Sequence, residues 1–229
     1  MAAGSIECNY DATYHQATVT LAGDVEPYLA RDVAGHITLN GSWCGYAATV
    51  TNTDSITVIG DATSQGVELV LANGGFKPGR TNEPGKSDEI EFTVNLGAGA
   101  ADEIRIIGSD AADKIDIGQG PTQFGIVRRI NLNAGESTGV DSDVAMVNVE
   151  KVMVFANGGN DVIRARGKAG TGPDALNLIG DEGKDTMWGY GTGDSIYMND
   201  GAAGDVGYGG DGIDDSIYDP GDTWDKGPQ

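Results

Sequence analysis

The chain has 229 residues, with 35 acidic side chains against 14 basic ones and a net charge of −21. That sign repels phosphate backbones and anionic membrane surfaces, so it excludes nucleic acid as a partner and favours cations. No run reaches the roughly 18–20 apolar residues that cross a bilayer as a helix, so no membrane span is expected.

Acidic chains that stay disordered are usually poor in β-branched and aromatic residues. Here short apolar segments recur instead, at Ala17–Leu21, Ile56–Ile59, Val67–Leu71, Ile90–Leu96 and Val144–Phe155. Glycine numbers 37, about twice ordinary usage, and Ala-Leu helical stretches are missing. Many short strands joined by glycine turns predict an all-β fold.

In chain order, Met1-Ala2-Ala3-Gly4-Ser5 reads as a cloning remnant ahead of a mature start. The two cysteines, Cys8 and Cys44, both fall in the first fifth of the chain. A lone pair suits one disulfide in an oxidising compartment, the alternative being two unpaired thiols. C-x-x-C spacing is absent, so zinc and dithiol redox chemistry have no support. Strands and turns alternate over 8–72, with bends at Gly23-Asp24, Asn40-Gly41 and Gly60-Asp61. The Pro- and Gly-rich stretch 73–85 is the candidate long loop or boundary. The chain therefore divides into an N-terminal β segment, 6–80, and a second region, 81–222.

A repeat emerges in the second region. Asp-x-Ile-type triplets open at Asp88, Asp102 and Asp113, and a looser stretch follows over 118–155. The rhythm returns at Asp161, Asp174, Asp185, Asp194, Asp205 and Asp215, with steps of 13, 11, 9, 11 and 10 residues. Most of these aspartates follow a glycine-rich turn: 157–160, 169–172, Gly180 to Gly183, Gly189 to Gly193 with Gly191 between, and Gly209-Gly210-Asp211-Gly212. A large apolar residue usually sits two places later, as at Ile163, Leu176, Met187 and Ile196.

These residues resemble the nonapeptide G-G-x-G-x-D-x-U-x of hemolysin-type (RTX-like) calcium-binding repeats, U being a large apolar residue. The match is most regular over 156–219. The wider layout resembles secreted actinobacterial proteins carrying such repeats, with a Cys-containing β segment first and a Thr-Asn-Thr-Asp-x-Ile stretch at Thr51–Ile56. The resemblance implies a right-handed parallel β-solenoid, a β-helix or β-roll. It also implies Ca²⁺ as the cofactor and a secreted, extracellular location.

The chemistry agrees with the spacing. Glycines allow positive φ and let turn carbonyls point inward. The aspartate adds a carboxylate, and two stacked turns then offer the hard-oxygen set that Ca²⁺ prefers. The expected ligands are Asp161, Asp174, Asp185, Asp194, Asp205 and one of Asp214 or Asp215. Carbonyls of Gly180, Gly183, Gly189, Gly191, Gly209, Gly210 and Gly212 complete the set, for about two to four ions. The U residues are expected to stack into one thin apolar ladder. Asp161 and Asp205 are the weakest sites, since Ala156-Asn157 replaces leading glycines and Gly207 takes the U position.

No catalytic residue is expected. His15 and His36 are isolated, and no G-x-S-x-G, H-E-x-x-H or phosphate-loop pattern occurs. The leading expectation is therefore a non-enzymatic, calcium-binding structural or adhesive module that folds or rigidifies on binding the ion. The alternatives are a Ca²⁺-dependent polysaccharide-active enzyme, for which Arg128-Arg129 is the one basic doublet beside acids, and a glycan-binding module. For the last, Trp188 with Tyr208 and Tyr197 with Tyr218 are expected to pair on opposite faces and meet a glycan or cell-surface partner. Trp224 reads as a cap on the apolar stack or as the start of a further turn.

Overall fold

The computed structural model describes residues 4–82, 88–122, 125–134, 141–165, 175–191 and 193–226. Asp174, the turn 169–172 and positions 83–87 of the expected loop lie outside the described residues. Among the described residues the chain is all β, with two three-residue 3-10 turns, Cys44–Tyr46 and Ala72–Gly74, and no α-helix. Among the described residues, no helix is long and apolar enough to cross a membrane.

The strands form two large sheets. The first runs, in hydrogen-bonded order, Ser5–Asp11, Gln16–Ala22, Ser55–Ile59, Glu91–Asn95, Val144–Val147, Gly125–Asn131, Lys114–Thr122, Val162–Ala165, Thr186–Trp188, Val206–Tyr208, Thr223–Asp225. The second runs Asp215–Tyr218, Asp194–Met198, Ala175–Ile179, Lys151–Phe155, Glu103–Ile107, Gly66–Val70, Tyr28–Arg31, Ile37–Leu39, Ser42–Trp43. From Ser55 onward the chain visits the two sheets in turn, interrupted by one excursion, and each visit adds a strand parallel to an earlier one. Both sheets run across residue 80, since Ser55–Ile59 pairs with Glu91–Asn95 and Gly66–Val70 with Glu103–Ile107.

Period-two alternation decides which side chains face inward. Val58, Phe92 and Val94 of the first sheet and Val67, Leu69, Ile104, Ile106, Val152 and Val154 of the second share one continuous buried core. The intervening positions carry charge. On the second sheet's outer face Arg105 pairs with Glu26, Glu68 and Glu103, and Lys151 reaches Glu103 at 2.8 Å. A parallel sheet with one solvated face is thus lined by cross-strand ion pairs.

The expected single apolar ladder is instead two facing ladders. Ile163 neighbours Ile115 and Met187 in the first sheet, whereas Leu176 neighbours Val152 and Ile196 neighbours Leu178 in the second. Successive repeats feed opposite sheets, so each meets the repeat after next. Gly207 is no defect in this stack. A Cβ there would stand 2.8 Å from the Trp224 ring and 2.9 Å from Met198 Sδ, so those two side chains fill the space a large residue would need.

The excursion explains the looser stretch 118–155. Lys114–Thr122 and Gly125–Asn131 form an antiparallel hairpin, and Val144–Val147 returns antiparallel to it before pairing in parallel with Glu91–Asn95. The apolar run 144–155 is therefore two strands in different sheets. They are separated by Asn148, which takes a φ of 53° that its short amide side chain tolerates. At the N-terminal end, Ser5–Asp11 is an antiparallel addition to the first sheet, and Ile37–Leu39 and Ser42–Trp43 are antiparallel additions beyond Tyr28–Arg31, which itself pairs in parallel with Gly66–Val70. Cys8 and Cys44 form the disulfide that ties one sheet to the other there, with Cα atoms 5.1 Å apart.

Candidate metal centre

The strand registers fix where the aspartates fall. Lys114, Val162, Thr186, Val206 and Thr223 are successive neighbours across the first sheet. The residue before each is an aspartate, so Asp113, Asp161, Asp185, Asp205 and Asp222 form one column along the sheet's edge. The column is laced by its own backbone. Asp113 N–H donates to Asp161 Oδ1 at 2.7 Å, Asp161 N–H to Asp185 Oδ1 at 2.8 Å, and Asp185 N–H to Asp205 Oδ1 at 2.8 Å. Asp205 N–H donates to Asp222 Oδ1 at 3.1 Å.

Each of the three middle carboxylates therefore spends one oxygen on its neighbour's amide. The other oxygen, Oδ2 of Asp161, Asp185 and Asp205, is buried and finds no hydrogen-bond partner. These residues are at most 1% exposed. Burial pushes the Asp161 carboxyl up to about 6, and Asp113 and Asp181 add to the effect. Burial, with Asp161, Asp205 and Asp200 nearby, pushes Asp185 up to about 7. Asp205 is raised by burial and by Asp222, Asp200 and Asp219. Stacked carboxylates with one unsatisfied oxygen each demand a counter-charge.

Along the opposite edge Gln65, Asp102 and Glu150 stand one residue ahead of the second sheet's strands, and Asp194 and Asp214 continue the acidic row two positions further on, at the register of Leu176. Gln65 N–H donates to Asp102 Oδ1 at 2.7 Å, Asp102 N–H to Glu150 Oε2 at 2.9 Å, and Asp194 N–H to Asp214 Oδ1 at 3.0 Å. Oδ2 of Asp102 and of Asp214 is buried without a partner. Asp214 and Asp215, the two alternatives at this turn, lie in different places. Asp214 occupies the column, whereas Asp215 is exposed, pairs with Ser195 in the sheet and accepts from the Ser216 amide. Asp194 differs from its counterparts, because its Oδ2 accepts the Tyr190 amide.

The glycines serve two purposes. Gly183, Gly210 and Gly212 have positive φ of 148°, 94° and 129°. Gly180, Gly189 and Gly209 are needed for close approach: a Cβ would stand 2.7, 2.6 and 2.3 Å from Oδ2 of Asp185, Asp194 and Asp214 respectively. Gly191 sits on the bend after Tyr190. Turns Gly158–Gly159 and Glu182–Gly183 pair with one another in parallel. With Asp110, Asn157 and Asp181 they line an acidic cleft of about 770 Å³ beside the first column.

Asp113, Asp222, Asp102 and Glu150 join the columns although the repeat pattern did not single them out as ligands. A Gly-x-x-x-x-Asp spacing marks two of them, at Gly97/Asp102 and Gly108/Asp113, and also picks Asp214 through Gly209. On the outer face, Trp188 and Tyr208 stack with centroids 5.3 Å apart and planes 7° apart, with Arg164 4.9 Å from the Trp188 centroid. Arg164 and Tyr208 come from strands on either side of Trp188, so both faces of the indole are covered. Tyr197 lies beside Ile217 and not beside Tyr218, because Met198 takes Tyr218 as its neighbour.

No family model, curated protein or solved structure matches this chain.

Proposed function

We propose that the chain is a calcium-dependent β-solenoid: a hemolysin-type repeat protein whose two sheets are wound in successive turns and whose aspartate columns bind Ca²⁺. The observation that carries this reading is the row of buried, unpartnered Oδ2 atoms on Asp161, Asp185 and Asp205. The donor set suits a hard cation, being carboxylate and carbonyl oxygen throughout. Asp161, Asp185, Asp205 and Asp222 would hold ions along one edge, and Asp102, Asp194 and Asp214 along the other. The bound ion supplies the positive charge that lets these carboxylates stay ionised in the folded state.

The role is structural, in an extracellular module that rigidifies when calcium is present. The Cys8–Cys44 bridge suits an oxidising compartment. The glycan-binding reading draws less support, because both faces of Trp188 are already covered, and the Arg164–Trp188–Tyr208 row is explained as cross-strand stacking.

Circular dichroism with and without chelator tests the proposal. Millimolar Ca²⁺ is expected to increase β signal and raise the melting temperature, with EDTA reversing both. A spectrum and melting curve indifferent to calcium would refute the reading.

A further inference from the structure

Away from both columns, four carboxylates converge where the hairpin excursion meets the strand Glu91–Asn95. One ligand oxygen each from Glu89, Glu91 and Asp141 lies within 4.8 Å of the others. Oxygens sharing one Ca²⁺ at 2.3–2.6 Å stand at most about 5 Å apart, so the three fit a single ion. Asp143 adjoins them, its carboxylate within hydrogen-bonding reach of Glu89.

Two of the four are held rigidly with one oxygen left over. Glu89 Oε2 accepts from Asn133 Nδ2 at 2.8 Å, and Asp143 Oδ2 accepts from the Leu132 amide at 2.6 Å. The backbone of Asp143 is itself bonded on both sides, to Ile130 and Phe92. Glu89 Oε1 and Asp143 Oδ1 are buried and meet no N–H or hydroxyl donor, in residues 8% and 1% exposed.

A proton shared between Glu89 and Asp143 would settle that pair alone. A divalent cation would bridge the three oxygens that lie within 4.8 Å of one another and meet the Asp143 carboxylate beside Glu89. Glu89, Asn133 and Asp143 also line a pocket of about 850 Å³ with Phe76, Lys77 and Lys114, which gives an ion a route in.

We propose that Glu89, Glu91, Asp141 and Asp143 form a separate site for a divalent cation of calcium's oxygen-seeking class, which clamps the returning end of the hairpin excursion onto the strand Glu91–Asn95. The site has no glycine turn and no repeat, and it does not depend on the columns.

Native mass spectrometry of the full chain equilibrated with Ca²⁺ tests it. Asp143→Asn and Glu89→Gln keep the shape and the bonds to Leu132 and Asn133, and each is expected to carry one ion fewer than the parent chain. Combining Asp143→Asn with Asp185→Asn is expected to lose the sum of the two single losses. In chelator, Asp143→Asn is expected to melt higher than the parent, because a buried repulsion is gone; should that variant fail to fold, the Glu89→Gln count decides. Ion counts equal to the parent in the folded variants overturn this site and leave the columns standing. A parent chain that takes up no ion overturns both.

Discussion

Asp185 sits at the centre of the first column, and replacing it by asparagine makes a prediction whose sign depends on calcium. Asparagine keeps an oxygen to accept the Asp161 amide, now at 2.8 Å, and places a neutral NH₂ where the unpartnered Oδ2 stands. Without calcium the parent carboxyl is pushed from 3.8 to about 7, and at about 1.4 kcal/mol per unit the full cost of ionising it is about 4 kcal/mol. Burial is the largest cause of that rise, and an asparagine NH₂ buried there without an acceptor gives back about 2 kcal/mol, which leaves roughly 2 kcal/mol. Asp185→Asn is therefore expected to stabilise the calcium-stripped protein by about 2 kcal/mol, or about 4–8 °C in melting temperature for a chain of this size. With calcium the order reverses. One site at a hundredfold saturation adds about 2.7 kcal/mol, and the variant forfeits most of it by losing an anionic ligand. Melting curves followed by circular dichroism, in EDTA and in millimolar Ca²⁺, read both signs. A variant that shifts in the same direction in both buffers refutes the reasoning.

The carboxyls of Asp161 and Asp185, raised to about 6 and about 7, stabilise the stripped protein fully below about pH 4, and that stability is lost as pH rises through 6 to 7. Urea midpoints of stripped protein are thus expected to fall between pH 5 and 7.5, and to rise over the same window in saturating Ca²⁺, where protons compete with the ion; a stripped protein that gains stability across this window contradicts the assignment. Gly209→Ala drives a Cβ to 2.3 Å from Asp214 Oδ2 and 2.9 Å from the Lys226 carbonyl, and overpacking of this kind costs about 1–3 kcal/mol. Isothermal titration is expected to show weaker calcium binding for that variant, and unchanged binding would remove Asp214 from the ligand set. Reducing Cys8–Cys44, or replacing Cys44 by alanine, opens a bridge of sequence separation 36 and is expected to cost about 3–4 kcal/mol, read as a lower urea midpoint with or without calcium.

The all-β class, the single disulfide and the places of Asp161, Asp185 and Asp205 were legible in the sequence because each is a local pattern. Alternation such as Val152/Val154 and a Gly-x-x-x-x-Asp turn are complete within a few residues. The partner of each strand was not legible. Nothing near Ile163 says that its neighbour is Met187 and not Leu176, since that follows from the chain changing sheets between repeats. The 144–155 run read as one strand because a single asparagine in a left-handed conformation leaves no mark on hydropathy. Glu89 and Asp143 were invisible as a pair for a related reason: they meet only because the hairpin 114–131 carries the chain out and back between them. Gly207 was read as a flaw because Met198 and Trp224, which fill its space, come from two other strands.

The two ends of the protein are stabilised by different means, and the sequence separations along the first column show how one gives way to the other. Its hydrogen bonds join residues 48, 24, 20 and 17 positions apart from Asp113 to Asp222. Each step thus has fewer residues with which to fill the core. The inward positions follow suit, from Phe92, Ile104 and Val152 near the N-terminal end to Gly207 and Ser216 near the other. Carboxylates crowd in as apolar side chains thin out: Asp161 feels two acidic neighbours, whereas Asp205 feels Asp200, Asp219 and Asp222. Apolar burial and a covalent bridge carry most of the first end, at roughly 25 cal/mol for each Å² removed from water. The second end has less of either, and the acidic residues that weaken it are the ones proposed to bind calcium. On that proposal calcium dependence is expected to be graded along the column and strongest in the C-terminal strands, where the core is thinnest.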